Sequence, residues 1–151
     1  MLRDKVRGIG KVHFLLTGEN GEIKLEQWCK NLVVNTGLYH IADQLASTPA
    51  QTRMTHMAVG SGSTAVSASN TTLVAELSRV AFTAQTASSG VVTYTATFSA
   101  GAGTGTLYEA GILNAASAGE MLSRLTYGVI TKASGDTLAV TWTLTFTDDG
   151  V

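Results

Sequence analysis

Thr137-Leu138-Ala139-Val140-Thr141-Trp142-Thr143-Leu144-Thr145-Phe146-Thr147 alternates without a break. Leu138, Val140, Trp142, Leu144 and Phe146 share one side, and Thr137, Thr141, Thr143, Thr145 and Thr147 share the other. A strand turns successive side chains to opposite faces, so this period of two predicts a strand with one buried and one open face. Val91 to Phe98 repeats the device, with Val92, Tyr94, Ala96 and Phe98 against Thr93, Thr95 and Thr97. Trp142, the largest apolar side chain on these faces, is the expected core anchor.

Working outward, Leu107 to Leu113 and Glu120 to Thr131 read as strands. Gly101 to Gly105, Asn114 to Gly119 and Ala133 to Asp136 read as the turns between them. Near the start, Lys11 to Leu16 and Glu22 to Cys29 flank Asn20-Gly21, whose tolerance of positive φ predicts a tight β-hairpin. Met54 to Val59 and Val80 to Thr86 have strand composition, and Leu73 to Leu77 is expected to make a helical turn. One longer helix is expected over Gly37 to Ala46, capped by Asn35 or Thr36. Its inward stripe would be Leu38, Ile41, Ala42 and Leu45, leaving His40 and Asp43 solvated on the flanks. Seven or eight strands in hairpin order with one short helix define a mainly β fold: an antiparallel β-sandwich, jelly-roll-like, with the helix capping an open end or covering an edge. Residues 10–151 form a single domain in this reading, and residues 1–9 a flexible, basic N-terminal arm.

With 151 residues the chain is long enough to bury a real core. Only 14% of residues are charged, there is one proline, and the formal net charge is −1. Low net charge without low hydrophobicity is not the composition of a disordered chain. It also provides no basic stripe for phosphate contacts, so no nucleic-acid partner is expected. Little repulsion keeps copies apart, and a threonine-rich, charge-poor surface gives up little hydration on docking, so association is expected. Cys29 alone excludes a disulfide framework and a cysteine metal site, and it reads as a small half-buried hydrophobe beside Trp28. No secretory signal and no run of about 18–20 apolar residues is present, so the expectation is synthesis in a reducing cytoplasm without membrane insertion.

Motifs for chemistry are thin. Gly60-Ser61-Gly62-Ser63 lacks the lysine of a phosphate loop, and Gly101 to Gly105 has no βαβ context for a dinucleotide. His13, His40 and His56 stand apart, and no serine has the setting of a nucleophile elbow. The expectation is therefore no catalytic residue, no cofactor, no metal and no enzymatic activity. Four charges stand in apolar surroundings: Glu76, Arg79, Glu109 and Arg124. An acid/base pair supported by guanidinium is one reading of them. The other is a structural ion-pair network tying the Leu73 to Arg79 turn to neighbouring strands, because an inward charge must be paired; it is the one adopted.

The order of several motifs adds a resemblance. Asn31-Leu32-Val33-Val34-Asn35-Thr36-Gly37 leads into the helix, followed by Met57-Ala58-Val59-Gly60-Ser61-Gly62 and Thr72-Leu73-Val74-Ala75-Glu76-Leu77-Ser78-Arg79. Glu109-Ala110-Gly111-Ile112-Leu113, Met121-Leu122-Ser123-Arg124 and Trp142-Thr143-Leu144-Thr145-Phe146 close the series. From about Gly10 to Phe146 this resembles small virion proteins of tailed bacteriophages, and the attachment domains at the front of some tail-fibre and collar-fibre proteins. The resemblance implies a structural component of a virion, made in the host bacterial cytoplasm. Its partners would be further copies of itself, in a closed ring or three-fold cluster, and the major capsid or tail proteins. In fibre proteins such a module is followed by a shaft and a receptor-binding tip. Heptads, collagen-like triplets and repeats are missing here, so capsid decoration (a cement protein) or a collar or tail position is favoured over adsorption. The competing reading is a tail-fibre-type adsorption protein or a carbohydrate-binding β-sandwich, for which Trp28, Tyr39 and Tyr108 are the stacking candidates.

Overall fold

The computed structural model describes residues 6–148. Ten strands and one helix follow in the order β1 (Val6–Thr17), β2 (Ile23–Lys30), β3 (Leu32–Val33), α1 (Asn35–Gln44), β4 (His56–Gly60), β5 (Glu76–Ala81), β6 (Ala84–Ser88), β7 (Val91–Phe98), β8 (Gly105–Leu113), β9 (Met121–Lys132) and β10 (Thr137–Asp148). They build two five-stranded sheets, one ordered β2-β1-β10-β7-β6 and the other β3-β9-β8-β4-β5. Every pairing is antiparallel. The fold is a β-sandwich, as the alternating strands predict.

The two sheets differ in a way the sequence pattern explains. In the first, β1, β7 and β10 send Val12, Phe14, Tyr94, Phe98, Val140 and Trp142 inward, and their odd-facing neighbours stay at the surface. In the second, β4, β8 and β9 are buried on both faces over most of their length. Met57, Val59, Leu107, Ile112 and Leu125 meet the first sheet, while Ala58, Leu113 and Met121 join Leu73 and Val34 in a separate cluster. The segment between β4 and β5 supplies Leu73 to that second cluster. Strands covered on both sides lose clean alternation, and Met57-Ala58-Val59 and Gly111-Ile112-Leu113 have none.

Four expectations need correction. Residues 6–9 of the supposed arm belong to β1, where Val6 to Ile9 pair with Asp148 to Thr145; β10 is long enough to template them. Residues 1–5 of that arm lie outside the described residues. The Leu73 to Leu77 turn is not helical: Glu76 already opens β5, and the amides of Val74 and Ala75 point at the Glu109 carboxylate instead of a preceding carbonyl. The strand expected over Val80 to Thr86 breaks at Phe82-Thr83, where the chain crosses between sheets and bonds Thr55 O and Thr95 O.

The fourth correction concerns α1. It packs against β9, but it is rolled. Gly37 and His40 are buried, while Leu38 and Leu45 are 54% and 85% exposed. The cause is a backbone dock onto β9. Val34 N donates to Leu122 O, Thr36 Oγ1 donates to Met121 O, and a Cβ on Gly37 would lie 2.0 Å from Leu122 O. That contact, not apolar periodicity, sets the roll. It also commits Thr36 to β9, so the residue before the first turn is Val34, with no side-chain cap.

Candidate functional site: buried clamps and an open threonine face

Glu109 on β8 and Arg124 on β9 form an ion pair in which both side chains are 0% exposed, with Arg124 Nη2 and Nε 2.9 and 3.0 Å from Glu109 Oε2. Glu109 Oε1 also accepts from Gly62 N (3.1 Å) and Ala75 N (2.7 Å), and Oε2 from Val74 N (3.0 Å). Arg124 turns its remaining donors to Asn70 Oδ1 and to the carbonyls of Thr64 and Ala65. Tyr127 Oη donates to the Glu109 carbonyl, and burial pushes its own pKa far up. One buried pair thus fastens the whole segment between β4 and β5.

The glycines of Gly60-Ser61-Gly62-Ser63 find their use here. A Cβ on Gly60 or Gly62 would lie 2.7 or 2.5 Å from Glu109 Oε1. The segment is an anion cradle, and the anion it holds is the chain's own carboxylate.

Glu76 and Arg79 form a second, separate pair. Arg79 Nε and Nη2 meet the two Glu76 oxygens at 2.9 and 2.7 Å, and Nη1 donates to Ala115 O and Ala118 O. Arg79 thereby holds the β8–β9 turn, where Ala118 takes a positive φ of 52°. The four charges singled out in the sequence are two clamps on two loops. With their donors engaged by the chain itself, the buried pair presents no free acid or base.

Trp142 is 0% exposed in the middle of the core, and its indole Nε1 has no hydrogen-bond partner. Sequence reading missed a third clamp at the far end of the sandwich. Lys132, 1% exposed, donates to Ser99 O and Asp136 O, and Asp136 Oδ2 accepts from Lys24 Nζ at 2.7 Å and from Ala133 N. Burial lowers the Lys132 pKa, and the Lys24 hydrogen bond leads the lowering of Asp136. The signal was faint: Lys132 falls two residues after Ile130, on the buried side of β9.

His40, expected in solvent, is 5% exposed, and its Nδ1 has no hydrogen-bond partner. Desolvation lowers its pKa, against the opposing pull of Asp43 and Glu120. It lines a cavity of about 230 Å³ between α1 and the sheets, with Ile41, Met54, Tyr94, Leu144 and Phe146. Asp43 is tied to the following loop by the amides of Ala50 and Gln51. Among the described residues, no three His, Cys, Asp or Glu side chains converge to hold a metal, and no helix is long and apolar enough to cross a membrane.

The surface of the first sheet is the remaining feature. Register places Thr143 beside Thr93 and Thr93 beside Thr86, and it places Thr141 beside Thr95 and Thr95 beside Ala84. Thr97 stands beside Ala139. Three strands thus present a carpet of small, uncharged side chains. Beyond β1 from this carpet, on β2, sits Trp28, 57% exposed, with the His13 ring 4.2 Å away and Lys11 Nζ 4.2 Å from the ring centroid. His13 bonds Glu26 at 2.7 Å. Tyr39, also 71% exposed, lies away from this face on α1.

The chain matches no family model, no curated protein and no solved structure.

Proposed function

We propose that this chain is a non-enzymatic structural component of a bacteriophage virion, docked on the capsid or tail through the outer face of the β2-β1-β10-β7-β6 sheet. The observation that carries the reading is the asymmetry of the sandwich. The outer side of the second sheet is covered by a loop clamped through Glu109 and Arg124, while the outer side of the first is left open and, across β10, β7 and β6, floored with small uncharged residues, most of them threonine. Docking on such a face desolvates no ion across β10, β7 and β6 and freezes few long side chains. Each contact is weak, and repetition over a symmetric particle multiplies it. The rigidly held loops keep each copy in one shape, as a repeated lattice contact needs. The motif order resembling small virion proteins supports the same reading, with capsid decoration or a collar or tail position as its setting. A carbohydrate-binding role draws less support, because the indole of Trp28 is already engaged by Lys11 and His13.

Co-sedimentation with purified virions of the phage encoding the chain tests this. The protein should pellet with particles at a saturable ratio. Replacing the cross-strand partners Thr93 and Thr143 together by lysine should weaken binding at least about tenfold, the effect of about 1.4 kcal/mol. Undiminished binding by that variant, or specific capture on a glycan array in place of particles, would refute the proposal.

A further inference from the structure

The four sheet edges are not equally protected against pairing with another chain. An exposed edge strand is a template for a new strand unless charge, proline, a bulge or brevity blunts it. At one edge β2 carries Lys24, Glu26 and Lys30. Strand β3 has only two residues. Strand β5 carries the Glu76–Arg79 pair, and its register with β4 is broken at Val59/Gly60. Strand β6 has none of these devices. Ala84-Gln85-Thr86-Ala87-Ser88 is uncharged and free of proline, is exposed at every residue, and runs in unbroken register with β7.

We infer that β6 is a self-association edge, pairing antiparallel with β6 of a second copy about a two-fold axis through Thr86. The sequence is complementary to itself in that register: Thr86 faces Thr86, Gln85 faces Ala87 and Ala84 faces Ser88, so no like charges meet. Two five-stranded sheets become one of ten strands, and the threonine rows of both copies run on across the axis. A second copy fits this edge better than a charged segment, which would find no ion partner along it. The inference deepens the assembly reading above and rests on it for its biological setting. Five residues a side fall short of the roughly 1,200–2,000 Å² buried by stable interfaces, so the free protein should dimerise weakly, in the micromolar to millimolar range.

Cysteine cross-linking and sedimentation test this in the full chain. In a Cys29→Ser background, Thr86→Cys should form a disulfide-linked dimer on mild oxidation, because directly opposed strand residues lie within disulfide reach. Gln85→Cys should not link to itself but should link to Ala87→Cys when the two proteins are mixed. Val129→Cys, at an exposed site on β9, is the control for random collision. Thr86→Lys should lower the association constant at least about tenfold while leaving the melting curve in place. A wild-type protein that is monomeric at millimolar concentration, or a Thr86→Cys chain that links no faster than Val129→Cys, would overturn the inference. Particle binding by a Gln85→Lys, Ala87→Lys variant, whose lysines oppose each other across the axis from the side of β6 away from the threonine row, reports separately on the virion reading, which survives if that variant is monomeric and still pellets with virions.

Discussion

Glu109→Ala is expected to cost about 3–5 kcal/mol, enough to bring a domain of ordinary stability close to unfolding. The substitution strands the guanidinium of Arg124 at 0% exposure and leaves the amides of Gly62, Val74 and Ala75 without an acceptor. Arg124→Ala should cost a similar amount by stranding the carboxylate. The double variant should lose clearly less than the sum, because the second change removes the charge that the first left unpaired. Glu76→Ala is the contrast, at about 1 kcal/mol or less, since that carboxylate reaches solvent. Arg79→Ala should cost more than Glu76→Ala, because its guanidinium also holds two carbonyls of the β8–β9 turn. Denaturant melts of the five variants check the ordering, and equal small losses throughout would show that Glu109 and Arg124 are not the buried clamp described.

Trp142→Ala should cost about 3–5 kcal/mol, the usual penalty for emptying a large buried aromatic site. Thr143→Ala, one residue along and on the open face, should change stability by less than about 1 kcal/mol. Trp142→Phe should fall between them and nearer the wild type, because the indole N–H it removes has no partner. Thermal or denaturant melts in which Trp142→Ala and Thr143→Ala lose equal stability would reverse the assignment of faces on β10.

How far the sequence could be read followed from what holds each element. Strands β7 and β10 were legible because one face is core and the other open, which writes a period of two into the chain. Strands β4, β8 and β9 were recognisable as strands, yet nothing in their pattern said that a loop covers their second face. Glu109 and Arg124 could be singled out as ions in apolar company. Their separation from Glu76 and Arg79 could not, because it depends on which backbone amides the segment between β4 and β5 brings within reach. The roll of α1 was illegible for a related reason: a backbone contact at Gly37 outweighs a stripe of leucines. Lys132 was passed over because a lysine near a turn ordinarily reaches solvent, and only the fold shows Ser99 and Asp136 closing over it.

The proposed virion role requires that the threonine face dock. Covalent side-chain footprinting of the free and the virion-bound protein, read residue by residue by mass spectrometry, tests it most directly. Protection on the particle is expected at Thr93, Thr95, Thr141 and Thr143, with labelling of Tyr39 on α1 and of Leu45 just after it unchanged. Protection confined to α1, with the threonine rows labelled as strongly on the particle as in solution, would contradict it.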